Sequence, residues 1–241
     1  MGDAKVRFVH TVPGAEDVQV EATADGITQR IGRGVGFGEI GRYEDVPAGE
    51  VKFDLLDANG RRTTGAREQL RNRARYSVVA IRDKPLMVLR DGGGEGGTSR
   101  LRVVQTAPEL GAVDVMAGDE AVADGIAYGD VSAYAGLGPG AYSLRVTNPA
   151  DGSTIASHGA VTLTAGSAST AFVVGTAGEP VGVVVAGDRS AAPRGAPATG
   201  LGGLADGDSH LLLALLAGFL AALAGAAAYV ALTASSRRGG P

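Results

Sequence analysis

The sequence predicts an all-β protein, two tandem Ig-like β-sandwich domains followed by one C-terminal transmembrane helix. Three observations carry this. Short apolar runs alternate with Gly, Pro, Asp and Asn turns about every 8–12 residues up to residue 188. The same segments occur twice, 91–95 residues apart. Residues 211–232 are apolar throughout and carry no charge.

The strands follow in order. VRFV, VQVEA, VKFDLL, YSVVAI and LMVL punctuate residues 1–91, and LRVV, VDVM, YSLRV, AVTL and TAFVV punctuate 98–188. KVRFVHTVP (5–13) matches RLRVVQTAP (100–108). FGEIGRYEDVPAGEVKF (37–53) matches YGDVSAYAGLGPGAYSL (128–144), aligning Tyr43 with Tyr134 and Gly49 with Gly140. YSVVAIRDKPLMVLRD (76–91) matches TAFVVGTAGEPVGVVVAGD (170–188). Gly-rich residues 92–97 have the composition of a flexible linker between the copies. Residues 189–210, rich in Pro, Gly and Ala, hold too little apolar surface to fold and read as a stalk.

Leu211 to Leu232 would span about 33 Å as a helix, enough for a bilayer core of about 30 Å. No polar face is present to meet water, which argues against a buried helix of a soluble core. Arg237 and Arg238 follow the span, and the positive-inside bias keeps residues 233–241 cytoplasmic and the preceding part outside. Such export needs a signal, yet MGDAKVRFVH has no apolar h-region. The expectation is a native start upstream or a trimmed signal. A cytoplasmic tail-anchored protein is the rival, and it would put both arginines on the wrong side.

Composition excludes several classes. The absence of cysteine removes a disulfide scaffold, a thiolate metal site and a cysteine nucleophile. A net charge of −4 gives no signature of nucleic-acid binding. With 19 Arg against 3 Lys, the basic residues look like the product of a GC-rich bacterial genome.

The order (V/L)R-V-V-(H/Q)-(A/T)-x-P, then V-D-V, then (F/Y)-G-x-(V/I)-x-x-Y, then P-A-G-x-(Y/V) resembles the bacterial domain of unknown function 4397 family. Both copies carry it, over residues 4–188. Gln105 departs from the usual His, and Val35 to Gly41 is unusually rich in glycine. The resemblance implies a β-sandwich on the cell surface and no established chemistry.

Few residues suggest chemistry. Arg71, Arg73 and Arg75 alternate, which on a strand would put three guanidinium groups on one face. That is a candidate anion patch for a cell-wall polymer, with a charge-protected edge strand as the alternative. Pro197-Ala198-Thr199-Gly200 resembles a sortase signal with Ala196 in place of the leading Leu, so cleavage between Thr199 and Gly200 competes with permanent anchoring. Gly36 to Gly41 spells G-x-G-x-x-G but lacks the parallel strand and the helix a dinucleotide fingerprint needs. His10, His158 and His210 have no partners for a triad or a metal site. Asp114, Asp119, Glu120 and Asp124 lack calcium-loop spacing.

The expectation is a membrane-anchored, extracytoplasmic structural or binding protein rather than an enzyme. It requires no cofactor and no nucleic acid. Its partners would be the bilayer, through 211–232, and a cell-wall polymer or surface protein. An extracytoplasmic enzyme is the alternative reading.

Overall fold

The strand runs form β-structure in the computed structural model, which describes residues 2–15, 18–92, 97–175 and 181–189. The expected stalk beyond Arg189, the apolar span 211–232, the expected tail 233–241, Thr199, Gly200 and residues 93–96 of the expected linker lie outside the described residues. Among the described residues no helix is long and apolar enough to cross a membrane. The chain divides into two units, and the first, Met1–Arg194, holds all the described residues.

The described residues of the first copy form β1 (Asp3–His10), β2 (Gln19–Ala24), β3 (Ile27–Ile31), β4 (Glu44–Pro47), β5 (Gly49–Leu56), β6 (Arg62–Leu70), β7 (Arg75–Ala80) and β8 (Met87–Asp91). Those of the second form β9 (Ser99–Gln105), β10 (Val113–Ala117), β11 (Glu120–Ile126), β12 (Ala135–Leu137), β13 (Gly140–Thr147), β14 (Thr154–Leu163), β15 (Ala168–Val174) and β16 (Gly182–Arg189). They make four four-stranded sheets, consistent with two β-sandwiches: β4-β1-β7-β8 with β3-β2-β5-β6, and β12-β9-β15-β16 with β11-β10-β13-β14. The two copies match strand for strand. In each, the first strand runs parallel to the seventh (β1 with β7, β9 with β15), while the other pairings are antiparallel.

Period-two alternation fills each core. Val6, Phe8, Tyr76 and Val78 from one sheet meet Val20, Ala22, Val51 and Phe53 from the other. The second copy does the same with Leu101, Val103, Ala171 and Val173 against Val115, Leu144 and Val146. The β2–β3 connection is Asp25-Gly26, at φ +48° and +77°, the left-handed pair a two-residue hairpin needs. Gly32 follows β3 at φ +67°, and a Cβ there would sit 2.3 Å from the Phe8 Cβ, so only glycine lets the chain pass that ring.

The strands differ from a half-buried pattern in one respect. Nearly every residue of β1 from Val6 on, and all of β15, is buried on both faces. A third core covers the outer face. Val9, Val79 and Ile81 of the first copy pack on Val104, Phe172, Val174 and Ala186 of the second. The period that sends Val6 and Phe8 into their own sandwich sends Arg7 and Val9 toward the other copy.

Candidate functional site

Four charged side chains lie inside that joint. Arg7, Asp91, Arg102 and Asp188 are 4%, 8%, 5% and 0% exposed. Arg7 is central in β1 and Arg102 stands at the matching place in β9. Asp91 closes β8, and Asp188 lies near the end of β16.

The arginines cross over. The Arg7 Nη2 group donates to the Asp188 carboxylate at 2.5 Å, and the Arg102 Nη2 group donates to Asp91 at 2.8 Å. Each guanidinium also donates to a main-chain carbonyl of the other copy, Arg7 to Gly187 at 2.8 Å and Arg102 to Arg90 at 3.1 Å. Its Nε–H donates to a hydroxyl of its own copy, Ser77 for Arg7 and Thr170 for Arg102, both at 2.8 Å. Those hydroxyls donate on to the aspartate of their own copy, Ser77 to Asp91 at 2.9 Å and Thr170 to Asp188 at 2.6 Å.

The phenols complete the set. Tyr43 donates to Asp91 at 2.6 Å and Tyr134 to Asp188 at 2.8 Å, and the guanidinium groups of Arg7 and Arg102 each stack 4.7 Å from the matching ring. Each aspartate therefore takes a tyrosine and a hydroxyl from its own copy and an arginine from the other. The network is pseudo-twofold and spans the boundary between the repeats. Among the described residues every fully buried side-chain nitrogen and oxygen has a hydrogen-bond partner.

Burial sets the electrostatics. The Asp91 carboxyl is pushed above the usual carboxylate range by desolvation and by the charge of Asp188, against the pull of Arg7. The Tyr134 phenol is raised to about 12 by burial and by Asp188. Tyr43 is raised further, by burial and then by Asp91. Both phenols stay protonated donors at any physiological pH. The cluster is thus a closed exchange of hydrogen bonds, with its polar groups spent on one another.

His10 and Gln105, beside this joint, hold their loops in the same way. The neutral imidazole accepts the Val12 N–H at Nδ1 (3.3 Å) and donates from Nε2 to the Ala15 carbonyl (2.8 Å). Gln105 accepts the Ala107 N–H at 2.9 Å and donates to the Gly111 carbonyl at 3.2 Å. The amide reproduces the imidazole's acceptor and donor, which explains how one copy replaces the other's histidine. Burial holds the His10 pKa below its ordinary 6.5, opposed by the hydrogen bond to Ala15. The folded state then binds this proton less readily than the unfolded chain. Its contribution to stability is complete above pH 6.5 and is lost as pH falls below 6.5 toward the folded pKa. Thermal melts should show the loss as a fall in melting temperature below pH 6.5, and His10→Gln should remove that part of the pH dependence.

The structure corrects the strand expected at Arg71, Arg73 and Arg75. Residues 71–74 form the turn between β6 and β7, with Arg73 at φ +61°, so only Arg75 lies on a strand. Arg75 stacks on Tyr43 at 4.9 Å, while Arg71 and Arg73 are exposed. The turn forms because the Tyr76 hydroxyl accepts the Arg71 N–H and the Asp3 carbonyl accepts the Arg73 N–H. Gly36 to Gly41 is a loop whose Gly38 and Gly41 amides donate to the carbonyls of His10 and Phe8. Asp114 accepts the Gly125 N–H, and His158 lies half-buried on β14. Among the described residues no group of three or more His, Asp or Glu side chains is placed to hold a metal.

Sequence reasoning aligned Arg7 with Arg102, Tyr43 with Tyr134 and the two terminal aspartates, but it read them as strand landmarks. The signal was available: polar residues kept in both copies at positions where a strand needs none.

Similarity to solved structures is slight. A leucine-rich repeat protein from Bacteroides thetaiotaomicron VPI-5482 is 14% identical with a TM-score of 0.20, covering 73% of this chain and 26% of that one. This chain thus spans about a quarter of that protein's length. A carbohydrate-binding module of family CBM26 from Eubacterium rectale, in complex with maltoheptaose, is 10% identical with a TM-score of 0.26, covering 78% and 97%. Among curated proteins none matches. The family described as Domain of unknown function (DUF4397) matches residues 4–115 and again 99–199, and this chain, with two copies of that domain, belongs to it.

Proposed function

We propose that the chain is an extracytoplasmic structural or binding protein, and not an enzyme, that displays two Ig-like β-sandwiches as one stiff unit at the bacterial surface. One observation carries the reading. The polar residues that recur in both copies (Arg7 and Arg102, Tyr43 and Tyr134, Asp91 and Asp188) are used to fasten the copies together. A cleft of about 510 Å³ at one end of the first copy, lined by Val12, Ala15, Val18, Leu55, Ile81 and Pro85 among others, is the concave face such a display would offer. The apolar residues 211–232 supply a bilayer anchor, with the cell-wall polymer or a surface protein as the partner.

Topology is the direct test. A cysteine replacing Ser190 is expected to label with a membrane-impermeant thiol reagent on intact cells, while one replacing Arg237 labels only after lysis. Labelling of Arg237→Cys alone on intact cells would reverse the orientation and remove the surface reading.

A further inference from the structure

We infer that a hollow at the open edge of the first repeat is an oxyanion site, which takes one phosphate or carboxylate group of an anionic polymer. This deepens the surface-binding reading above and rests on it only for the source of the anion. β6 and β8 are the last strands of the two sheets of that repeat, and beside them lies a hollow of about 260 Å³. Glu68 and Gln69 line it from β6, Val88 and Arg90 from β8, Tyr76 from β7 and Arg71 from the turn before β7. Arg90 is paired directly opposite Tyr76, which puts both side chains on one face of the sheet.

The fold does not use the polar groups found there. Arg71 and Arg90 are exposed, and among the described residues neither guanidinium has an ion pair or a hydrogen bond. Their main chains are held all the same. The Arg71 N–H donates to the Tyr76 hydroxyl at 3.0 Å, and the Arg90 carbonyl accepts from Arg102 at 3.1 Å. Tyr76 is only 3% exposed. Its oxygen takes the Arg71 N–H, and its own O–H has no acceptor among the described residues. Two guanidinium forks and a buried hydroxyl with a hydrogen to donate are the donor set that an oxyanion accepts from.

The second repeat supplies the comparison. Register puts Thr164 where the first repeat has Arg71, Val161 where it has Glu68, and the pair Ser169 and Gly187 where it has Tyr76 and Arg90. The same strands form with no charge at those places, so packing does not call for the arginines. Arg73 does not line the hollow, and Arg75 stacks on Tyr43. Spacing along the sequence thus named one arginine of the site, and strand pairing names the other. The one carboxylate in the lining, Glu68, has no ion-pair partner among the described residues and would oppose an anion, which fixes the sign of its test.

Fluorescence polarisation tests it on the full chain, in mild detergent because of residues 211–232. The probes are a labelled glycerol-phosphate oligomer and a labelled oligogalacturonate. Arg71→Gln and Arg90→Gln are each expected to weaken binding about tenfold. Glu68→Gln is expected to tighten it, and Arg73→Gln, an equal loss of charge two residues from Arg71, to leave it unchanged. This pattern with the first probe identifies a phosphodiester as the group taken, and with the second a carboxylate, and either supports the site. Binding of neither probe overturns it, as does binding that Arg71→Gln and Arg90→Gln leave intact or that Arg73→Gln weakens as much as Arg71→Gln. If circular dichroism shows that an arginine variant has not folded, Glu68→Gln decides: tighter binding supports the site, and unchanged or weaker binding overturns it. Purified protein reports the site whichever way the chain is oriented in a membrane. Binding together with reversed cysteine labelling would keep the site and remove the surface reading alone.

Discussion

Arg7→Ala is expected to lower the unfolding free energy by about 3–5 kcal/mol, far more than loss of a surface ion pair. The reason is what stays behind. Asp188 remains fully buried, keeping neutral donors from Thr170 and Tyr134 and an arginine 4.0 Å away, Arg102, already engaged with Asp91. An uncompensated buried carboxylate costs more than the ion pair contributed. The pH dependence gives a second handle. Asp91 already has its folded pKa raised, so its proton is held more tightly in the folded state. A group with a raised folded pKa adds stability at low pH and loses it as pH rises through that value. Removing the Arg7 charge raises the Asp91 pKa further, so the deficit should narrow as pH falls toward 4. Urea unfolding at pH 7 and pH 4.5 measures both effects. An equal deficit at the two values would mean that lost packing, not charge, explains the variant.

Phe172→Ala should be as costly, about 3–5 kcal/mol, by a different route. The ring is fully buried, yet it points away from its own sandwich into the joint with Val9 and Val79. Truncation opens a cavity between the repeats and leaves both sandwich cores complete. Urea unfolding of the wild type should be a single cooperative transition, and that of the variant should split in two, with the β-sheet circular dichroism unchanged in water. Truncating Phe53 makes the contrast, since that ring sits in the first sandwich and its loss leaves the joint intact, so unfolding should move to lower urea but remain a single transition.

Much of this architecture was written in the pattern of residues. Repeating VRFVH and LRVVQ segments and short apolar runs between Gly, Pro, Asp and Asn turns are local signals, and they specify strands without knowledge of the partner sheet. The joint was not legible in the same way. Alternation in β1 distinguishes a face with Val6 and Phe8 from one with Arg7 and Val9, and an arginine on the second face ordinarily means water. Only its reappearance as Arg102, with Asp91 and Asp188 each closing the last segment of a copy, separates a buried clasp from a solvated edge. The strand expected over Arg71, Arg73 and Arg75 was misplaced for a related reason. Spacing alone cannot distinguish a strand from a turn when the deciding contacts, to the Tyr76 hydroxyl and the Asp3 carbonyl, come from elsewhere.

The crossed arginines also govern how the molecule would bear a mechanical load. The last described strand, β16, is zipped to β15 from Gly182 to Arg189, and the chain continues from its end. A pull applied beyond Arg189 would ordinarily peel that strand one hydrogen bond at a time, the geometry of least resistance. Here the two residues it meets behind Arg189 are Asp188 and Gly187, and Arg7 grips the carboxylate of one and the carbonyl of the other. Force entering at the C-terminal end of β16 is therefore passed to β1, whose parallel neighbour β7 is loaded in shear along its length. The weakest edge of the second repeat is braced by the central strand of the first.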